Sequence, residues 1–243
     1  MNVVIPTYKR YNSLKGKDYF KDAKYVLPES QKDDYLKVLD INRMIVIPDE
    51  CDGSIGKKRN WILKNIEKPL IMVDDDVSCL VYREYGKQKK LDFLGFKRLI
   101  YNGFTMADDL GCVLWGINQN TDPINYREFR PISLSTVILG PFQGHLNHNE
   151  LIDESVGTKD DYDFSIHILN KYRKILRFNK YSYNKDIGVN NGGIVSYRTK
   201  EKEEEFCKRI MRKWGSRVIK YNLPPKTMSD LLNGKVSVPI KGQ

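Results

Sequence analysis

Four apolar residues, Leu70-Ile71-Met72-Val73, come after Pro69 and stop abruptly in three carboxylates, Asp74-Asp75-Asp76. A short unbroken apolar run with such flanks reads as a strand buried on both faces, as in a parallel sheet covered by helices. A strand of that kind delivers the residues after it to the crevice at its carboxyl end, where open α/β sheets bind ligands. If side-chain alternation continues past Val73, Asp74 and Asp76 share a face and Asp75 points away. Two carboxylates on one face at the mouth of a sheet suit a hard divalent cation, which takes oxygen ligands. The plainer alternative is an acidic turn, since Asp is common in turns.

The flanking pattern agrees with a covered sheet. Val3-Val4-Ile5 is a strand stopped by Pro6, and residues 7–17 form a polar loop. Residues 24–28 read as a second strand, and Ser30 as the cap of a helix reaching Leu39. Residues 43–48 read as a third strand, 49–53 as a turn and 54–66 as a helix. Strand, helix, strand, helix, strand predicts an α/β fold with a doubly wound, mostly parallel central sheet flanked by helices. The second half is less regular. It suggests an edge strand at 81–85, a basic loop at 86–90, a helix at 93–110 and a strand at 112–117. A polar loop at 118–125 comes next, and 135–139 pairs with 142–146 around Gly140-Pro141. Asp160 begins a helix, 174–183 alternates like a strand, 199–214 is an amphipathic helix and a short helix lies near Leu231. No repeat or linker divides the 243 residues, so one domain is expected.

Lys and Arg outnumber Asp and Glu by 41 to 31, a net charge of +10. That surplus favours a polyanion, an anionic surface or a phosphorylated ligand as partner. The four cysteines, Cys51, Cys79, Cys112 and Cys207, are scattered without a CxxC pair. This argues against a zinc cluster or a disulfide framework and fits a reducing compartment. No apolar run approaches the roughly 20 residues of a membrane span. A cytoplasmic protein without a membrane partner is therefore expected.

Three further stretches carry chemistry. Ile5-Pro6-Thr7-Tyr8-Lys9-Arg10 leaves a buried strand and can cradle a nucleotide, or is an ordinary strand exit. Gly53-Ser54-Ile55-Gly56 opens a helix whose first turns hold Lys57, Lys58 and Arg59. Cations there oppose the helix dipole, and a diphosphate at the free N–H groups would relieve the clash. The alternative is a solvated basic face. A metal on Asp76 could bridge to that diphosphate and stabilise it as a leaving group, with Asp74 orienting the ribose or the metal's water. In Lys159-Asp160-Asp161-Tyr162-Asp163-Phe164, Asp161 is a candidate general base for an attacking hydroxyl. Caps and dipole partners are the plainer role of those carboxylates.

In order, Val4-Ile5-Pro6-Thr7-Tyr8-Lys9-Arg10, residues 56–60, Asp74-Asp75-Asp76 and Asp160-Asp161-x-Asp163 resemble the motifs of GT-A nucleotide-sugar glycosyltransferases over residues 1 to about 172. The resemblance implies a nucleotide-sugar-binding half at 1–110, and an acceptor-binding half with a C-terminal extension at 111–243. It implies Pro6, Thr7, Tyr8, Arg10, Asp49, Glu50, Lys58, Arg59, Asp74 and Asp75 around a nucleoside diphosphate sugar (a UDP-sugar). It implies Mn²⁺ or Mg²⁺ on Asp76 and Asp74, and Asp161 as the base of an inverting displacement. His145 or His148, in a polar loop before the acidic motif, is a candidate further ligand. One departure is Asp160-Asp161 where the family usually has Glu-Asp.

Val26-Leu27-Pro28-Glu29-Ser30-Gln31, Lys58-Arg59-Asn60-Trp61-Ile62-Leu63 and Asn190-Asn191-Gly192-Gly193-Ile194 also resemble the phage glycosyltransferases associated with TET-like DNA base hydroxylases. These are thought to modify 5-hydroxymethylcytosine in DNA. Lys171, Arg173, Lys174, Arg177 and Lys180, interleaved with Tyr172, Phe178, Tyr181 and Tyr183, offer phosphate contacts and stacking surfaces for such DNA. One solvated face of a strand explains them equally. The expected activity is sugar transfer to the hydroxymethyl group of 5-hydroxymethylcytosine. The alternatives are a saccharide, lipid or protein acceptor, a nucleotidyltransferase, and a nucleic-acid-binding domain without catalysis.

Overall fold

The computed structural model describes residues 1–119, 126–185 and 198–238. Its centre is an eight-stranded sheet. The strands are β1 (Asn2–Pro6), β2 (Lys24–Pro28), β3 (Met44–Ile47), β4 (Leu70–Val73), β7 (Leu114–Ile117), β8 (Ile132–Ser133), β9 (Phe142–His145) and β10 (Leu176–Phe178). They lie in the order β3-β2-β1-β4-β9-β7-β10-β8. β1 to β4 are mutually parallel, and β7 pairs parallel to β10. β9 and β8 run against their neighbours. The expected mostly parallel α/β sheet is present. Both halves of the chain supply its strands.

All four residues of β4 are buried, and they alternate as the apolar run requires. Ile71 and Val73 join the cluster under helix α3 (Phe93–Asp109). Leu70 and Met72 face helices α2 (Ile55–Asn65) and α4 (Asp160–Tyr172) on the other side. Each such side chain contributes about 1.5–3 kcal/mol on burial. Trp115 of β7 fixes the packing of α3. Its ring lies so close that a Cβ on Gly103 would come within 2.3 Å of it, which explains a glycine in mid-helix.

Several expected elements differ. The segment after β2 is a 3-10 turn, Glu29–Gln31, and a short helix α1 (Lys32–Leu36), and Ser30 caps neither. Ser30 instead donates from N and Oγ to Asp49 Oδ1, tying two loops. β5 (Val77–Glu84) is the middle strand of a second sheet, not an edge. The basic residues after Gly86 form its edge strand β6 (Lys87–Lys90) through a tight turn at Tyr85-Gly86, both with positive φ. The third strand is β11 (Tyr181–Lys185), antiparallel to β5. The segment 174–183 is therefore two strands in two sheets. Residues 135–139 are not a strand, and β9 pairs with β4 and β7 instead. Part of the 118–125 loop and the Asn190–Ile194 segment lie outside the described residues.

The C-terminal part is helix α5 (Lys200–Trp214), helix α6 (Met228–Leu232) and the pair β12 (Ile219–Lys220) and β13 (Lys235–Val236). It covers the outer side of α4 through Tyr162, Ile166, Cys207, Ile210 and Leu231. Lys159, immediately before α4, is buried against Glu203 at 2.6 Å and donates to the Leu231 carbonyl at 2.7 Å. The four cysteines are free. No helix among the described residues is long and apolar enough to cross a membrane.

Removing one partner of a buried ion pair costs about 3–5 kcal/mol, because the other charge stays uncompensated. Glu203→Ala is therefore expected to lower the urea unfolding free energy by about that much. The Lys159→Met/Glu203→Leu double variant is expected to recover most of the loss. Equal destabilisation in both would show that packing, not charge, governs this joint.

Candidate functional site

The strand order places a topological switch point between β1 and β4. The chain leaves β1 toward β2 and β3 on one side, then returns to the other side of β1 as β4. The carboxyl ends of β1 and β4 open a crevice there, the usual ligand position of such sheets. Pro6 and Thr7 line it from β1, and Asp74 from β4.

β4 ends at Val73, so strand alternation does not extend into the triplet. Asp74 to Val77 is a turn closed by Val77 N donating to Asp74 O at 3.2 Å. The expectation that Asp75 points away is corrected by this turn: all three carboxylates meet cations of the same cluster. Asp75 accepts from Thr7 Oγ1 at 2.7 Å and pairs with Arg10 at 3.1 Å. Asp76 lies 3.6 Å from Arg10 and 3.1 Å from Lys185. Asp74 pairs with Arg59 at 2.7 Å and lies 3.8 Å from Lys185.

Arg59 joins the two acidic stretches. It is 3% exposed, and its two terminal nitrogens donate to Asp74 Oδ1 and Asp160 Oδ2, each at 2.7 Å. A Cβ on residue 140 would fall 2.5 Å from Arg59 Nη2, so Gly140 makes room for the guanidinium. The Gly140 N–H then donates to Asp161 Oδ2 at 3.0 Å, and Tyr162 N–H to Asp161 Oδ1 at 2.8 Å. Asp161 is half-buried beside Arg59, with its orientation held by these two amides. Asp163 belongs elsewhere: it accepts from Lys213 and Trp214 of α5.

The cations of α2 are internal. Ser54 caps the helix through the Lys57 N–H. Lys58 is 2% exposed, donates to the Thr7 carbonyl and pairs with Asp52 at 3.1 Å. Neither a solvated face nor an open cation cluster for phosphate describes Lys58 and Arg59, because Asp52, Asp74 and Asp160 already neutralise them. Tyr8 is half-exposed, its ring 5.5 Å from Lys58 Nζ. Asp49 and Glu50 are exposed on the loop after β3.

The histidine expectation is corrected. His145 is the last residue of β9 and pairs across from Leu70, at the opposite end of β4 from the aspartates. It is fully buried, its Nδ1 3.1 Å from His148 Nε2, and both rings lie near Phe164. Antiparallel β9 carries them away from the crevice. Among the described residues, no three or more His, Cys, Asp or Glu side chains form a group able to hold a metal.

The expected basic face at 171–180 is also divided. Lys171, exposed, pairs with Glu150 at 2.6 Å. Arg173 is the left-handed cap of α4, and the Lys174 amine approaches Gly111. Arg177 is half-buried on β10 and donates to Asn179, whereas Lys180 sits over the Tyr82 ring of the second sheet. The stretch is shared between strands of two different sheets. Tyr183, read from sequence as part of that stretch, and Lys185, two residues further along β11, lie beside the aspartates instead. The Tyr183 hydroxyl is raised in pKa by burial first, then by Asp74, Asp161 and Asp76. No local pattern points to either role.

Burial raises three of the site's carboxylates in pKa. It pushes Asp75 up to about 6, against Arg10 and the Thr7 hydrogen bond. It pushes Asp160 up to about 6 against Arg59, with Asp161 adding to the rise. Burial and Asp74 raise Asp76. In Asp74, burial is outweighed by Arg59 and Lys185, and the pKa falls. An unfolded Asp loses its proton near about 3.9. Between about pH 4 and 6 the folded chain thus holds protons on Asp75 and Asp160 that the unfolded chain lacks, and their contribution to stability falls as pH rises. His145 and His148 oppose this. Burial lowers both, His148 to about 4, so their contribution rises with pH over much of the same window. The separable observable is the titration itself. Carboxyl-carbon NMR is expected to show two aspartates titrating near pH 6. Observing every aspartate below about pH 4.5 would contradict the buried, charge-crowded site.

No protein-family model matches the chain, and no curated protein sequence matches it. Among solved structures, TarS of S. aureus is similar, with 14% sequence identity and a TM-score of 0.46. The match covers 87% of this chain and 40% of that one, so this chain spans less than half the length of that neighbour. A likeness of this degree assigns neither a substrate nor a residue role.

Proposed function

We propose that this chain is a glycosyltransferase that moves a sugar from a nucleoside diphosphate sugar to an acceptor hydroxyl with inversion. The supporting observation is the single Arg59 guanidinium that binds Asp74 at the switch-point crevice and Asp160 at the start of α4. It brings the donor-side carboxylates and the candidate base to one place.

The donor set suits a hard divalent cation. Five carboxylates, Asp74, Asp75, Asp76, Asp160 and Asp161, face three cations, Arg10, Arg59 and Lys185, leaving two formal negative charges in excess when all are ionised. A diphosphate entering such a site is repelled unless a cation accompanies it. Asp76 is 8% exposed, and its Oδ1 has no hydrogen-bond partner. Two carboxylates completed by substrate phosphates are a common Mg²⁺ environment. Asp74 and Asp76 would hold Mn²⁺ or Mg²⁺, whose positive charge, when bound, stabilises the departing diphosphate.

The chain's own residues do the rest. Tyr8, half-exposed at the end of β1, offers a ring for the nucleotide base. Thr7 and Arg10 hold Asp75 and thereby the turn that presents Asp74 and Asp76. Asp161 takes the proton of the attacking hydroxyl as its oxygen bonds to the anomeric carbon. The bond from that carbon to the diphosphate oxygen breaks, and the diphosphate leaves with the electron pair.

For the acceptor we propose 5-hydroxymethylcytosine in DNA, supported by the sequence resemblance and the net charge of +10. A saccharide, lipid or protein acceptor is the second reading, and the division of the basic stretch between two sheets favours it. Incubation with hydroxymethylated DNA, Mn²⁺ and a panel of nucleotide sugars, followed by mass measurement of the digested nucleosides, separates them. A hexose or pentose increment on hydroxymethylcytidine supports the first. Donor turnover without that increment supports the second. Release of pyrophosphate in place of nucleoside diphosphate would make the chain a nucleotidyltransferase.

Asp76→Ala is expected to abolish metal-dependent donor binding, measured by calorimetry. Asp161→Asn is expected to keep donor affinity within a few-fold and lower transfer by about 10²–10⁴. Normal turnover by Asp161→Asn would remove that residue as the base.

A further inference from the structure

Lys185 stands between the two carboxylates proposed above to hold a divalent cation, Asp74 and Asp76. Arg59 occupies Asp74 Oδ1, which leaves Asp74 Oδ2 as that residue's accessible oxygen. Lys185 Nζ lies 3.8 Å from this oxygen and 3.1 Å from Asp76 Oδ2. These oxygens, with the unpartnered Asp76 Oδ1, would face a hard cation held between the two carboxylates.

The backbone aims Lys185 there. β11 pairs with β5 in regular antiparallel register from Tyr181↔Tyr82 through Asn184↔Cys79. The next pair would be Lys185 with Ser78. A register shift between Asn184 and Lys185 pairs it with Val77 instead, the residue immediately after Asp76. Bulges of this kind re-aim a side chain and recur beside functional sites. The three cations of the cluster also differ in exposure. The side chains of Arg59 and Arg10 are only 4% and 8% exposed, whereas that of Lys185 is 29% exposed on a flexible four-carbon stem. Lys185 is the one that can withdraw.

We propose that Lys185 is a resident cation of the Asp74–Asp76 seat, which competes with the divalent metal and sets its affinity. This rests on the reading of those aspartates as a metal seat. An ammonium and a divalent ion cannot share the two oxygens, since their mutual repulsion at such range is large in a partly buried site. Metal entry therefore requires Lys185 to swing out, and the work of breaking its pair with Asp76 subtracts from metal affinity. A cation that holds the seat keeps the two carboxylates compensated before donor and metal arrive.

The test measures Mn²⁺ binding directly, by loss of the free-ion electron paramagnetic resonance signal, with neither donor nor acceptor present. Lys185→Met keeps the stem and removes the charge, and is expected to bind Mn²⁺ at least about tenfold more tightly than wild type. Lys185→Arg, which keeps a cation, is expected to stay within about threefold of wild type. Adding Asp76→Asn to Lys185→Met is expected to abolish the gain. Equal or weaker binding by Lys185→Met, with circular dichroism and melting like those of Lys185→Arg, overturns the proposal. So does an undiminished gain in the Asp76→Asn background, or no binding by folded Lys185→Met. Sugar transfer enters none of these readings, so failure of the glycosyltransferase assignment is registered separately.

Discussion

One buried guanidinium holds the two halves of the site together. Arg59 donates to Asp74 and Asp160 at equal distances of 2.7 Å and is almost completely shielded from water. A buried cation with two carboxylate partners is costly to disrupt from either side, since losing one partner leaves charge uncompensated in a poorly solvated place. The β4 turn and the start of α4, distant in sequence, are therefore constrained as one unit. Gly140 takes part by lacking a side chain where the guanidinium passes, and its amide orients Asp161. Arg59 organises the cluster from inside α2, where a phosphate-binding role would have required it to face out.

The surrounding charges are arranged to be incomplete. Arg10 and Lys185 compensate Asp75 and Asp76 only in part, and burial raises the pKa of three carboxylates in the cluster. Such perturbation by burial and like charge is characteristic of functional sites, though structural ion-pair networks produce it too. What distinguishes this cluster is its location. It lies at the carboxyl ends of adjacent parallel strands where the winding of the sheet reverses, a position that leaves a crevice instead of a covering helix.

The C-terminal part supports the same site from behind. α4 is covered on one side by the sheet and on the other by α5 and α6, and the buried Lys159–Glu203 pair sits directly under its first turn. Helix starts fray unless they are held. Packing on both sides and a buried ion pair keep Asp160 and Asp161 where Arg59 and Gly140 can reach them.

Much of the scaffold was legible in local pattern. The apolar run of β4, the short strands before it, and the capped helices at 54–66 and 199–214 arise from burial periodicity and cap chemistry, which act between neighbours in the chain. The aspartate triplet and the Asp160-Asp161 pair were legible as an acidic strand end and an acidic helix start for the same reason. Pairing between distant segments was not. The sequence of 174–183 alternates convincingly, yet it divides between two sheets, because alternation reports exposure and not which strand lies alongside. Lys58 and Arg59 read as outward cations because their partners, Asp52, Asp74 and Asp160, reach them only through the fold. For the same cause the histidines near 145 lie away from the aspartates and Lys185 lies beside them. Composition and periodicity determined a covered α/β sheet with acidic strand and helix ends. Tertiary structure decided which cation meets which carboxylate, since ion pairing acts over a few ångströms of space that local sequence does not encode.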